Sequence, residues 1–128
     1  MTNQPNLLLD THILLWWLDG SSRLPQAARA AIIASEAVYV SSATAWEIGI
    51  KASQGKLDFP GDLAEQLSLN DFKPLPISIS HAVAAGALPD HHRDPFDRML
   101  VAQARVESLM LITSDARLKS YDAPVLVV

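Results

Sequence analysis

Four acidic residues stand where segments predicted to be strands end or helices begin. Asp10 directly follows the apolar run NLLL, and Asp115 comes two residues after the run LMLIT. Glu47 and Asp97 lie within about a turn of the starts of two predicted helices. Carboxylate oxygens are the ligands that Mg²⁺ and Mn²⁺ prefer, and a cation removes the cost of placing carboxylates together. The four residues are therefore candidate ligands of a cation that orients water against a phosphodiester.

Each of these acids also has an ordinary structural interpretation. Asp10 and Asp115 are suited to cap the helices that follow them, and Glu47 alone fits an exposed helix position. Asp97, three residues after Asp94, fits a carboxylate that stabilises a helix N-terminus. Joint placement favours a site, because ligands of open α/β sheets bind beyond the carboxyl ends of the strands.

The elements that must position the acids alternate between strands and helices. Short apolar runs predict strands at 6–10, 37–40, 109–113 and 123–128, with a proline-containing edge strand at 73–78. Helices are predicted at 12–20, 24–36, 42–54, 60–69, 79–88, 95–108 and 115–120. We expect one α/β domain over residues 1–128, with a central parallel sheet of about five short strands flanked by helices on both faces.

The composition narrows the class of protein. The chain has 128 residues, no cysteine and a net charge of −4. Without cysteine there is neither a disulfide framework nor a thiolate metal site. The sequence shows no signal peptide and no apolar run long enough to span a membrane, so we expect a cytoplasmic protein. The acidic balance argues against a protein that coats nucleic acid, whereas a nuclease whose cation meets the phosphate can be acidic.

Four segments together resemble the PIN-domain family, and within it the VapC-type toxins of type II toxin–antitoxin pairs. The segments are LLLDTHILLWWL, VYVSSATAWEIGIK, LPDHHRDPFDRMLVAQA and LMLITSDARLKSY, which cover nearly the whole chain in the family's order. The resemblance implies a parallel sheet flanked by helices. It also implies a Mg²⁺- or Mn²⁺-dependent endoribonuclease, in which metal-activated water hydrolyses RNA and leaves a 5′-phosphate.

The resemblance places the catalytic and metal-binding acids of the family on Asp10, Glu47, Asp97 and Asp115. Three more residues are expected to support the site or to contact the substrate: Thr113, Asp94 and Arg98. Several cations are candidates to bind RNA phosphates, although solvated surface charge is their ordinary interpretation: Lys51, Lys56, Arg93, Arg98 and Arg117.

The run ILLWWL predicts a second apolar surface. Successive apolar residues point all round a helix, so Trp16 or Trp17 must lie away from the core that the other residues face. A neighbouring helix is one way to cover such a side chain, and a protein partner is the other, because tryptophan is enriched in interfaces. The resemblance implies a small antitoxin as this partner and a homodimer or a toxin–antitoxin hetero-oligomer.

Other interpretations stay open at this point. The triplet Asp90-His91-His92 resembles the Asp-His-His motif of some phosphoesterases, but it precedes a helix cap instead of following a strand. We expect an ordinary exposed histidine pair there, and a supporting or surface role for His12. Two further alternatives are a non-catalytic binding module that keeps the fold, and a metal-dependent phosphatase or DNA nuclease that uses the same acids.

Overall fold

The computed structural model describes residues 6–128 and contains a five-stranded parallel sheet. Its strands are β1 (Leu7–Leu9), β2 (Val38–Ser41), β3 (Lys73–Leu75), β4 (Met110–Thr113) and β5 (Val125–Val127). Their order across the sheet is β3-β2-β1-β4-β5, with every pairing parallel. The predicted sheet is confirmed, and the proline-containing strand β3 lies at an edge.

Six α-helices and one 3₁₀ helix connect the strands. They are α1 (Thr11–Leu18), α2 (Gln26–Ala34), α3 (Ser42–Ser53), α4 (Leu63–Leu69), α5 (Ile79–Gly86), α6 (Pro95–Glu107) and the 3₁₀ helix (Ala116–Ser120). Helix α4 begins three residues later than predicted, because the Asp62 carboxylate caps the N–H groups of Ala64 and Glu65. None of the helices in residues 6–128 is long and apolar enough to cross a membrane.

Alternate side chains of the central strand point to two separate cores. Leu7 and Leu9 pack with residues of α1 and α2 on one face of the sheet. Leu8 packs on the other face with residues of α6 and is fully buried. Since both faces are covered by helices, the strands read as continuous apolar runs, as is usual for buried parallel strands.

The strand order changes direction at β1, because β2 and β3 lie on one side of it and β4 and β5 on the other. The connection from β1 leads to β2 on one side, whereas β4 and β5 lie on the other side. The N–H of Asp10, just beyond β1, donates to the carbonyl of Ile112 in β4 at 3.0 Å. The carboxyl ends of β1 and β4 therefore meet at the switch point where α/β sheets commonly bind ligands.

Candidate active site

Asp10 is buried at this switch point and is held by two elements. Its Oδ1 accepts from the N–H of Ile13 at 2.9 Å, so the residue is the N-cap of α1. Its Oδ2 accepts from the hydroxyl of Thr113 at the end of β4 at 2.5 Å. Burial raises the pKa of this carboxyl above its ordinary value, against the lowering effect of the Thr113 hydrogen bond.

Glu47 lies on α3 and its carboxylate is oriented by neighbours on two helices. Its Oε1 accepts from the hydroxyl of Thr11 at 2.6 Å, and the Thr11 hydroxyl also lies 3.2 Å from that of Thr44. Its Oε2 pairs with the Lys51 ammonium at 2.9 Å, one turn further along α3. Glu47 is buried, and each of its two carboxylate oxygens has a polar partner.

Asp97 lies in the first turn of α6, behind the Asp94 cap. The Asp94 carboxylate accepts from the N–H groups of Phe96 at 2.8 Å and Asp97 at 3.3 Å. Burial, and then the negative charge of Asp94, raise the pKa of the Asp97 carboxyl to about 7. The nearby Asp10 and Glu47 act in the same direction, so several negative charges converge on this carboxyl.

Asp115 begins the 3₁₀ helix after β4 and is more exposed than Asp10. Its Oδ1 caps the N–H of Arg117 at 3.0 Å, and both of its oxygens accept from the Arg117 guanidinium at 3.0 and 2.8 Å. This bidentate pair holds the pKa of the Asp115 carboxyl down at about 2. The backbone N–H of Asp115 donates to the Thr113 hydroxyl, which links the residue to Asp10.

His92 lies between two of the acids. Its Nε2 is 3.4 Å from an oxygen of Asp97 and 3.3 Å from one of Asp115, and its side chain is 8% exposed. Its Nδ1 accepts the N–H of Asp94 at 3.0 Å. The neutral ring must therefore carry its proton on Nε2 and donate it towards the carboxylates.

All four predicted acids line one cavity of about 170 Å³. Other lining residues are Thr11, His12, Lys51, His92, Asp94, Ser114 and Arg117. Among the described residues, ligand atoms of His92, Asp97 and Asp115 also lie within 4.8 Å of one another. The sequence-based expectation that acids far apart in the chain meet at one edge of the sheet agrees with this geometry.

The residues of this cavity fit a hard divalent cation. Carboxylate oxygens dominate the lining, and the raised pKa values of Asp10 and Asp97 reflect burial and negative charge that a cation would offset. His92 fits the role of a proton donor to the acids better than that of a ligand, since its Nδ1 is already an acceptor. The four acids remain the proposed ligands.

The sequence also matches a known protein family. Residues 7–124 match the PIN domain. The chain belongs to the PIN-domain family. It is also 31% identical over 121 residues to ribonuclease VapC22 of Mycobacterium tuberculosis (strain ATCC 25618 / H37Rv), a match that covers 92% of this chain and 93% of that protein.

Solved structures share the PIN-domain fold. A toxin–antitoxin complex from Klebsiella pneumoniae has a TM-score of 0.68 at 22% identity, over 94% of this chain and 96% of that one. VapBC2 from Rickettsia felis bound to a promoter DNA fragment has a TM-score of 0.66 at 13% identity, over 96% and 98%. At these identities the likeness concerns the fold.

The cations predicted to bind RNA phosphates are largely engaged within this PIN domain. Lys51 pairs with Glu47, and Arg117 with Asp115. The Arg98 guanidinium donates to backbone carbonyls at 3.0 to 3.4 Å: those of Ala85, Leu88, Pro89 and His92. Arg98 therefore holds the segment before α6 in place. Two roles were predicted for Arg98, support of the site and contact with the substrate, and these contacts fit the first.

Three residues in or beside the site were not predicted from the sequence. His92 was expected to be exposed, but only His91 of that pair is exposed, with its ring against Tyr121. Thr11 and Thr44 were not singled out. A usable signal was present, since Thr11 adjoins Asp10 and Thr44 lies one helical turn before Glu47, on the same face of α3.

A second, larger groove of about 570 Å³ opens beside the PIN-domain cavity. Trp16 and Leu15 of α1 form one wall, and the segment after α3 forms the other with Leu57 and Phe59. Trp17 points elsewhere and packs against Phe72. Trp17 is thus covered within the chain, with the Arg29 guanidinium of α2 5.6 Å from its ring, whereas Trp16 lines an open groove.

Proposed function

We propose that this PIN-domain protein is a Mg²⁺- or Mn²⁺-dependent endoribonuclease, the toxin of a toxin–antitoxin pair. The observation that carries the proposal is the single cavity on which Asp10, Glu47, Asp97 and Asp115 converge. The similarity to ribonuclease VapC22 over nearly the whole chain supports RNA as the substrate class. The cytoplasm, where RNA is abundant, is the expected compartment.

The protein's own side chains fix the acids before substrate arrives. Thr113 and the first turn of α1 hold the two oxygens of Asp10, while Thr11 and Lys51 hold those of Glu47. A divalent cation held by the four carboxylates would polarise the attacking water and offset the charge of the phosphodiester. Because Asp10 and Glu47 are already oriented, these two carboxylates should need little reorganisation when the cation binds.

The proposal is tested by incubating the purified chain, free of any partner, with structured RNAs in the presence and absence of Mn²⁺ or Mg²⁺. Wild-type protein should cleave RNA only with the cation, and Asp97→Asn should lose this activity. Asp122→Asn is a matched control, because Asp122 is exposed and lies outside the cavity. Its activity should equal that of the wild type.

Substrate comparison separates the alternatives. Preference for RNA over single-stranded DNA and a phosphomonoester supports the endoribonuclease, whereas preference for either of the others supports the DNA nuclease or the phosphatase. Folded protein that cleaves none of them with the cation present supports a non-catalytic binding module. Equal cleavage by wild type and Asp97→Asn contradicts the assignment of the site.

The groove beside the cavity is the proposed docking surface for the antitoxin. His12 and Lys51 line both the groove and the acid cavity, so a segment in the groove reaches the entrance of the site. The structures with this fold from Klebsiella pneumoniae and Rickettsia felis contain toxin–antitoxin complexes, which makes a small protein the occupant to test. We expect a homodimer or a hetero-oligomer with this partner.

Trp16 tests this surface. Trp16→Ala should weaken binding of the antitoxin at least 10-fold, since buried tryptophans dominate interface energetics. Inhibition of RNA cleavage should weaken in parallel. Ile33→Ala, an exposed position outside the groove, should leave both unchanged. Undiminished inhibition of Trp16→Ala would place the partner elsewhere.

A further inference from the structure

Trp46 is the most exposed of the three tryptophans. Trp16 and Trp17 are half-buried and pack against the core on the α1 side of the sheet, whereas Trp46 is 65% exposed. A single exposed apolar residue is ordinary on a protein surface, so the location of Trp46 and its neighbours decide whether its large flat ring serves a ligand. The exposed Trp46 ring is therefore available to contact a ligand.

The position of Trp46 connects it to the acid cavity. Trp46 directly precedes Glu47 on α3, and Phe96 directly precedes Asp97 on α6. The two aromatic rings contact each other with centroids 5.3 Å apart and planes at 76°. The pair thus joins the two helices that carry two of the site acids, outside the cavity lining itself.

The edge-to-face geometry leaves room for a third ring. Such a contact occupies one face of one ring only, so the remaining faces can stack on another flat group. Phe96 contacts the indole on one side, and most of the Trp46 side chain stays exposed. An ordered and open aromatic face beside phosphodiester chemistry matches the way proteins bind the bases of single-stranded nucleic acids.

Charge strengthens the case for stacking. The chain has a net charge of −4, and Lys51, Arg98 and Arg117 already bond carboxylates or carbonyls. Phosphate contacts from these three cations are therefore a weak source of affinity for a polyanion. Base stacking provides affinity without requiring positive charge.

We propose that the Trp46–Phe96 pair is a stacking platform for an unpaired RNA base adjacent to the phosphate held at the acids. This inference rests on the proposed endoribonuclease function and adds a substrate-binding position to it. It also favours cleavage in single-stranded segments, because a base within a duplex is stacked between its neighbours and has no free face.

The test measures binding of a short oligoadenylate in an Asp97→Asn background that prevents cleavage, with Mn²⁺ at a concentration high enough to fill the weakened cation site. Trp46→Ala should raise Kd roughly 5- to 150-fold, and Trp46→Phe should retain most of the affinity. Oligomers with one abasic site at successive positions locate the stacked base. At that position the abasic site should weaken binding to the Trp46 protein but add no further loss to Trp46→Ala.

The outcomes separate this inference from the function on which it rests. Ile33→Ala, an equally exposed apolar residue on α2, should bind RNA as the parent does. If wild type cleaves RNA but Trp46→Ala binds it equally well, or if the abasic penalty is the same in both proteins, the platform is wrong. Sedimentation velocity measures whether Trp46→Ala dissociates into monomers. If this dissociation alone explains the weaker RNA binding, the pair is an interface between copies of the chain and the platform is wrong. If wild type neither binds nor cleaves RNA, both proposals fail.

Discussion

At the scale of single residues, Asp97 shows how the fold prepares the site for a cation. Burial, the adjacent Asp94 and the other site acids all disfavour its charged form and raise its pKa to about 7. The metal-free native state therefore keeps a proton on Asp97 that the unfolded chain releases near pH 4. A divalent cation must compete with this proton for the carboxylate.

This proton predicts how stability depends on pH. Because the pKa is raised on folding, the stabilisation is present below about pH 4 and is lost as the pH rises to about 7. Asp10, whose pKa is also raised, acts in the same direction. Asp115 has the opposite sign, but with a pKa of about 2 it changes stability only below about pH 4.

Thermal unfolding without divalent cations checks this prediction. The melting temperature of wild type should fall relative to that of Asp97→Asn between about pH 4 and about pH 7 and change little above that range. Mn²⁺ should stabilise wild type more at the higher pH, where the carboxylates are free to bind it. A constant difference between the two proteins across this range would contradict the raised pKa.

Thr113 makes a second residue-scale prediction. Its buried hydroxyl orients Asp10 and accepts the N–H of Asp115, so it links two proposed ligands. Thr113→Val should weaken Mn²⁺ affinity or RNA cleavage about 10- to 100-fold, as removal of groups that orient metal ligands commonly does. Thr113→Ser keeps the hydroxyl and should remain near wild type. Equal losses in both variants would indicate a packing effect instead.

Sequence patterns identified the acids but could not choose between their interpretations. Asp10 and Asp115 each cap a helix with one oxygen and also line the cavity, so helix capping is compatible with the proposed role as ligands. Both roles favour the same position, at the end of a strand and the start of a helix. His92 was not predicted because the position of its ring depends on contacts made by the tertiary fold, with Asp97 and Asp115.

At the scale of elements, Arg98 fixes the segment between α5 and α6. Its guanidinium reaches four carbonyls from Ala85 to His92, and its Nη1 lies 3.5 Å from the Tyr121 hydroxyl. This segment carries His92 and the Asp94 cap into the site. A planar group with several donors suits such convergent carbonyls, and a lysine cannot replace it in kind.

Arg98→Lys keeps the positive charge but should still disturb the site, because lysine cannot donate to the same set of carbonyls. We expect a loss of about 2 kcal/mol or more in the free energy of unfolding, together with reduced RNA cleavage. Chemical denaturation measures the first and the cleavage assay the second. Arg105→Lys, at an exposed position on the same helix, should change neither. Unchanged stability of Arg98→Lys would show that the segment is held by other contacts.

Element prediction succeeded where one local signal dominated. The buried strands β1, β2 and β4 are short apolar runs, and α6 begins at an aspartate–proline pair that both caps and starts a helix. The start of α4 was wrong because Pro60 and Asp62 both favour a helix N-terminus, and the aspartate side chain decided between them. Single-sequence patterns do not rank such competing caps.

At the scale of the whole molecule, the central strand couples the two faces of the sheet. Leu8 contributes to one core while its neighbours Leu7 and Leu9 contribute to the other. The order of the strands was not predictable from apolar runs, since the runs of β1, β2 and β4 are each largely buried and fit several places in a sheet. It is set by long-range packing.

We propose that the chain folds as one domain, as predicted for residues 1–128, of which residues 1–5 lie outside the described part of the chain. Leu8→Ala should cost about 2–5 kcal/mol in the free energy of unfolding, because the side chain is fully buried. Unfolding should remain a single transition when followed by tryptophan fluorescence and by far-UV circular dichroism. Two separate transitions would show that the faces unfold independently.

The central claim is that four carboxylates form one cation site. Calorimetric titration of the metal-free protein with Mn²⁺ at about pH 8 tests this most directly, using Asp10→Asn, Glu47→Gln, Asp97→Asn, Asp115→Asn and the control Asp122→Asn. Wild type and the control should bind Mn²⁺ alike, and each of the other four should bind it at least 10-fold more weakly. Equal binding by all the proteins, or none by folded wild type, would contradict the account.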